Sequence, residues 1–139
     1  MATLVRERLK GQRHDLGDGF MIRRVLPSSN RHAIGPFVFM DHFGLLQLPA
    51  TQALDIRPHP HIGLATVTWL WEGRIEHKDG LGNPQIIEPG AVNWMNAGRG
   101  IVHSERTAAA DRGHVQALHG LQLWLALYRV SGYATTRYR

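Results

Sequence analysis

The chain contains no cysteine. Disulfides and thiolate metal sites are therefore excluded, and any metal ion must be held by nitrogen and oxygen. No apolar run approaches the roughly 18 residues of a membrane span. Residues 1–20 have no signal-peptide core, because Arg6, Glu7, Arg8 and Lys10 interrupt it; the expected location is the cytoplasm. No periodic stretch supports a helix longer than two or three turns, although 108–118 has room for a short one. Nothing interleaves aromatic with basic residues as a nucleic-acid stacking platform would.

What is present is a chain of 139 residues, about one domain by length, with 43% apolar residues, enough to build a core rather than remain disordered. Fifteen glycines and seven prolines favour turns and short strands. The net charge of +5 is concentrated between Arg6 and Arg31 and at Arg129, Arg137 and Arg139. It reads as a solvated face plus a cationic tail, and no direct nucleic-acid binding is expected.

The strand pattern is dense. Gly19 to Leu26 reads as a strand stopped by Pro27, and Pro36 to Phe43 as a second. Residues 45–56 read as an irregular connection. Leu64 to Trp71 is rich in β-branched and aromatic residues, and Glu72-Gly73 followed by Arg74 to Lys78 reads as its hairpin partner. Gln85 to Glu88 and Ala91 to Met95 are short and extended. Leu121 to Tyr128 alternates with its leucines on one parity, as a half-buried strand does. Many short strands at turn-marked intervals predict an all-β fold, a small antiparallel barrel or jelly roll.

Two stretches carry chemistry. Arg57-Pro-His-Pro-His-Ile-Gly63 and Gly100-Ile-Val-His-Ser-Glu-Arg106 each hold two metal-ligand side chains separated by one residue: His59 and His61, then His103 and Glu105. Side chains two apart on a strand point to the same face, so each pair can converge on one ion. If one regular strand continued from residue 59, Gly63, Ala65 and Val67 would share that face and leave room beside the ion. Three imidazoles and one carboxylate suit iron, zinc, nickel, copper and manganese, and a site open to water suits a redox metal better than a closed structural zinc. A lone histidine is more often a satisfied polar group than a ligand. His14, His32, His42, His77, His114 and His119 are read that way.

The segments 57–68, His77-Lys78-Asp79, Pro89-Gly-Ala-Val-Asn-Trp-Met95 and Ala97-Gly-Arg-Gly-Ile-Val-His-Ser-Glu-Arg106 together resemble the N-terminal domain of pirin, in the cupin superfamily. Phe39-Met-Asp-His-Phe-Gly44 and 119–127 extend the resemblance over most of the chain. It implies a cupin β-barrel with iron held by His59, His61, His103 and Glu105, the same four residues that the spacing selects. It also implies associations: bacterial pirins with quercetin dioxygenase activity, eukaryotic pirin with transcription factors as an iron-dependent cofactor, and some bacterial members with metabolic enzymes. There are two departures. The glutamate that cupins often place after the paired histidines is absent, since that region reads Ala65-Thr66. Pirins are bicupins, whereas 128–139 has no counterpart in the family.

The expected architecture is a single cupin resembling the N-terminal half of a bicupin over residues 1–127, with 128–139 an atypical C-terminal tail. One divalent ion per chain is expected, iron first, with nickel, manganese, copper or zinc as other occupants. The first functional reading is a dioxygenase of the quercetin 2,3-dioxygenase kind with a flavonol-like substrate, in which Glu105 is both ligand and general base. The alternative is a redox-sensing regulatory protein that binds transcription or metabolic partners; a third is a fragment that keeps the site without a role. Both faces of 121–127 are apolar and hard to bury in one small barrel, so a homodimer is expected, with the tail from Tyr128 at its interface.

Overall fold

The computed structural model describes residues 7–17, 19–82, 84–127 and 135–138. Eleven strands run through these residues: β1 (Gln12–Asp15), β2 (Met21–Leu26), β3 (Phe37–Leu48), β4 (Asp55–His61), β5 (Leu64–Glu72), β6 (Ile75–Asp79), β7 (Gln85–Ile87), β8 (Val92–Asn96), β9 (Ile101–Arg106), β10 (Gln116–Ala126) and β11 (Thr135–Tyr138). One short 3-10 turn, Ala109–Asp111, is the helical element in 108–118. No helix among the described residues is long and apolar enough to cross a membrane.

The strands form two antiparallel sheets. The larger has the order β1-β2-β3-β10-β5-β8-β11 and the smaller β4-β9-β6-β7. Their inner faces enclose the core, as expected for an all-β jelly roll. Phe20, Ile22, Phe43, Leu48, Leu54, Leu70, Ile75, Ile87 and Leu118 form one buried cluster, and Met95, Ala97 and Ile101 a second. Leu70, Ile87 and Met95 are fully buried, and each such side chain contributes roughly 1.5–3 kcal/mol by leaving water.

Three local expectations are corrected. The first concerns the strand from residue 59, which is not continuous. β4 ends at His61, Gly63 adopts a positive φ of 71°, and β5 begins at Leu64 in the other sheet. The parity is thereby reset from residue 66 onward, so the even residues Thr66, Thr68 and Leu70 are buried while Val67 is only half-buried; Ala65, at the start of β5, is buried as well. The second concerns the Glu72-Gly73 turn, which reverses the chain without making a hairpin. β5 pairs with β10 and β8, whereas β6 pairs with β9 and β7. Gly73 is required there, with φ at 88° and the Ala117 carbonyl oxygen 2.2 Å from where a Cβ would stand. The third concerns 45–56, where β3 extends to Leu48 and the irregular part is shorter than read.

Strand β10 lies at the centre of the large sheet, between β3 and β5. Leu121, Leu123 and Leu125 are each half-buried, as is Trp124. At the sheet edge, the backbone of Thr135–Tyr138 pairs with β8; the remainder of the expected tail, 128–134 and 139, lies outside the described residues.

Candidate metal centre

Three adjacent strands of the small sheet each carry an alternate-residue pair on their inner face. β4 contributes His59 and His61, β9 contributes His103 and Glu105, and β6 contributes His77 and Asp79. The register sets His59 opposite His103 across β4 and β9. Across β9 and β6 it sets His77 opposite Glu105 and Asp79 opposite His103. The pleat turns these pairs toward the interior.

His59, His61 and His103 offer ring nitrogens that all lie within 4.8 Å of one another. Their ring centroids are 4.4–4.9 Å apart. Glu105 does not belong to this triangle. It forms a second group, again within 4.8 Å, with His103 and His77. His103 is common to both groups.

Two of the three rings have a nitrogen whose state the hydrogen bonding defines. His59 Nδ1 is 2.9 Å from the Arg57 carbonyl oxygen. That oxygen can only accept, so Nδ1 carries the proton and Nε2 keeps its lone pair. His103 Nε2 is buried without any hydrogen-bond partner. A buried polar atom left unpaired costs on the order of 1–3 kcal/mol, which an ion at this position would recover. The donor set therefore fits a first-row divalent metal.

The opposite wall comes from one register row of the large sheet. Asp41 on β3, Gln122 on β10, Thr68 on β5 and Asn93 on β8 stand side by side, with Arg24 of β2 at the end of the row. Arg24 Nε and Nη2 donate to the two Asp41 oxygens at 2.9 and 2.8 Å. Thr68 Oγ1 lies 2.8 Å from Gln122 Oε1 and 3.2 Å from Glu105 Oε1. Asn93 Nδ2 lies 3.4 Å from His77 Nδ1. Between the sheets is a cavity of about 300 Å³. Phe20, Phe39, Phe43, Ile56 and Trp124 are among its walls, and His59, His61, His103 and Glu105 line one side. Phe39 and Trp124 stack with centroids 4.0 Å apart, and Trp124 meets His61 edge-on at 5.0 Å.

Burial sets the charge of these groups. Desolvation, then the neighbouring His59, lowers the His61 pKa to about 4. Desolvation, then His59, His77 and His61, lowers that of His103 to about 2. Both rings are neutral near pH 7, the state a metal requires. Glu105 is pushed the other way: desolvation raises its pKa, against the opposing influence of His77, Thr68 and His59.

Of the residues read as lone satisfied histidines, His77 is fully buried and hydrogen-bonded, as that reading requires. It also stands inside the centre, which that reading did not anticipate. The signal was present in the chain: His77 and Asp79 have the same alternate spacing as the two recognised pairs.

A family model described as Pirin matches residues 19–125. A pirin-like protein from Caulobacter vibrioides is 48% identical over 118 residues, which cover 84% of this chain and 40% of that protein. A crystal structure of a quercetin 2,3-dioxygenase from Acinetobacter baumannii superposes with a TM-score of 0.85 at 39% identity, covering 93% of this chain and 42% of that one. The bacterial pirin YhhW from Escherichia coli, solved in complex with nickel(II), shares the fold with a TM-score of 0.77 at 21% identity, covering 95% of this chain and 57% of that one. The chain thus spans about two fifths of the length of the curated relatives it matches.

Proposed function

Because this chain belongs to the pirin family, we propose that it is a metal-dependent dioxygenase domain of the quercetin 2,3-dioxygenase kind, acting on a flat aromatic substrate of the flavonol class. The observation that carries this reading is the cavity. Its walls are mostly apolar and aromatic, it is set between the sheets, and the imidazoles and one buried carboxylate lie on one side of it. Concave, mostly apolar pockets with few convergent polar groups are the usual form of a small-molecule site. A shallow wet site would favour the regulatory alternative.

In this reading His59, His61, His103 and Glu105 hold one divalent ion per chain, iron before nickel, manganese, copper or zinc. When bound, the ion supplies Lewis acidity and a template for the substrate oxygens. The protein does the rest. Phe39 and Trp124 offer a flat surface to an aromatic ring. Glu105 takes the proton of a substrate hydroxyl, and its burial strengthens it as a base. Thr68 has one hydroxyl proton for two neighbours. With Glu105 protonated, Glu105 donates to Thr68 and Thr68 to the Gln122 carbonyl oxygen. With Glu105 ionised, Thr68 turns to it, and the Gln122 amide rotates to donate to Thr68.

The test is metal analysis of the purified protein, followed by quercetin turnover in air with iron, nickel and manganese added in turn. Turnover that needs one of these ions is expected. Equal turnover after metal removal would overturn the metal mechanism, and no turnover with any ion would transfer the site to a redox-sensing regulatory role.

The outer face of the large sheet supports a homodimer as part of the same proposal. Leu123 stands opposite both Met40 and Val67, and Leu121 opposite Trp69. Trp71 and Trp94 are 49% and 38% exposed. A two-fold contact over such a face buries on the order of 2,000 Å² or more. Residues 128–134, expected at that interface, lie outside the described residues. Sedimentation at micromolar concentration should give a dimer; a soluble monomer would remove this part of the proposal.

A further inference from the structure

We propose that Asp79 and His77 are positioning residues that dictate the tautomer of His103 and so keep its Nε2 open toward the ion. The inference rests on the metal-centre reading and adds two residues behind it.

Asp79 is anchored first. Its Oδ1 accepts the Leu81 backbone N–H at 2.8 Å, which holds the carboxylate at the end of β6. Its Oδ2 is 3.1 Å from His77 Nε2. The His77 side chain is 0% exposed and that of Asp79 2%, so water does not compete. Asp79 Oδ2 only accepts, so His77 Nε2 carries a proton, and a ring that holds its one proton there leaves Nδ1 as a lone pair. Asn93 Nδ2, reaching across from β8, lies 3.4 Å from the same nitrogen, a long contact beside its single lone pair. His103 Nδ1 lies 3.3 Å from this lone pair. Two facing lone pairs would repel, so His103 Nδ1 is the donor. A neutral His103 then has its free lone pair on Nε2, the buried atom that has no partner.

A metal-bound histidine usually gives its other N–H to a carboxylate or carbonyl. His59 follows that habit directly, through the Arg57 carbonyl. His103 reaches its carboxylate one ring further away, with His77 between. The order Asp79, His77, His103 therefore transmits a hydrogen-bond direction from a loop-anchored carboxylate to the centre.

Asp79→Asn tests this because it keeps the shape and can keep the bond to the Leu81 N–H. Its amide nitrogen would face His77 Nε2 and donate, so the proton would shift to His77 Nδ1 and from there oblige His103 to carry its own on Nε2. The expected results are a loss of roughly 10- to 100-fold in zinc(II) or iron(II) affinity by chelator competition, and a change of the His103 tautomer, read by nitrogen-15 NMR on metal-free protein, from Nδ1–H to Nε2–H. His77→Gln, whose oxygen can accept from His103 and whose amide can donate to Asp79, should restore most of the affinity that His77→Leu loses. A wild-type His103 protonated on Nε2, or unchanged affinity and tautomer in Asp79→Asn, overturns the proposal. If Asp79→Asn does not fold, the wild-type tautomer and the Gln-against-Leu comparison decide it. If the wild type binds neither metal, it is the metal-centre reading that falls, and the tautomers of the metal-free protein still judge the relay.

Discussion

Histidines gather in two places in this molecule, on opposite sides of the large sheet. On its outer side, His42 of β3 and His119 of β10 bring their Nε2 atoms within 2.9 Å of each other. Trp71 packs against His119 with ring centroids 4.7 Å apart. One ring donates to the other, so the shared nitrogens satisfy each other, and the pair belongs to neither metal-capable group found among the described residues. Inside, His59, His61 and His103 are as close to one another, yet the Nδ1 of His59 is engaged by a carbonyl and His103 Nε2 is left without a partner. Proximity of imidazoles is common to both places. What distinguishes the inner group is a buried nitrogen left without a partner, His103 Nε2, beside a His59 ring whose Nδ1 is held from behind.

The strongest way to break this comparison is to remove the shared member. His103→Ala should lower metal affinity by more than about 100-fold, beyond the loss typical of an outer partner, while His119→Ala leaves it unchanged in the same chelator competition. Equal losses would abolish the distinction. Glu105→Gln comes next. If the carboxylate works as a base, turnover should fall on the order of 10²- to 10⁴-fold while part of the metal affinity survives, which kinetics and metal titration separate.

Acidity sharpens the contrast in the metal-free protein. The His61 pKa is depressed to about 4 from an ordinary 6.5. Above pH 6.5 the ring is neutral folded or unfolded. Between 6.5 and about 4 the unfolded chain gains a proton that the folded site refuses, so stability should fall as pH falls through that window. His103 adds to the loss and continues it to lower pH. Glu105, with its pKa raised, contributes stability that is present in acid and lost as pH rises through its folded value. Urea midpoints against pH should therefore pass through a maximum, and Glu105→Gln should remove the loss on the alkaline side. The smallest effect belongs to the outer pair: His119→Ala should cost about 0.5–1.5 kcal/mol, one ordinary hydrogen bond, seen as a modest shift in the urea midpoint.

Much of the small sheet's contribution was legible in the chain. His59 with His61, and His103 with Glu105, reveal themselves because alternation along a strand is a local property of the backbone. The same rule applied equally to His77 and Asp79, but a buried histidine beside an acid is also what an ordinary satisfied core residue looks like. Only the register that sets Asp79 opposite His103 separates the two cases. The condition of a continuous strand past Gly63 fails for a similar reason: a glycine in extended sequence does not announce that the next residue joins a different sheet.

The sequence alone determined that this is an all-strand chain, and that two pairs of possible metal ligands, His59 with His61 and His103 with Glu105, each share one face of a strand. These follow from side-chain periodicity within a few residues, whereas the need for glycine at position 73 comes from the distant Ala117 carbonyl. Tertiary structure decided the rest. It placed β5 and β6, neighbours in the chain, in opposite sheets. It aligned Arg24, Asp41, Gln122, Thr68 and Asn93 into one row facing the centre, although they come from five strands. It also left Glu105 beside His103 rather than within the imidazole triangle. Each of these depends on which strand edges meet, and edge pairing is chosen by the burial of whole sheet faces between segments far apart in the chain, a collective choice that no local pattern records.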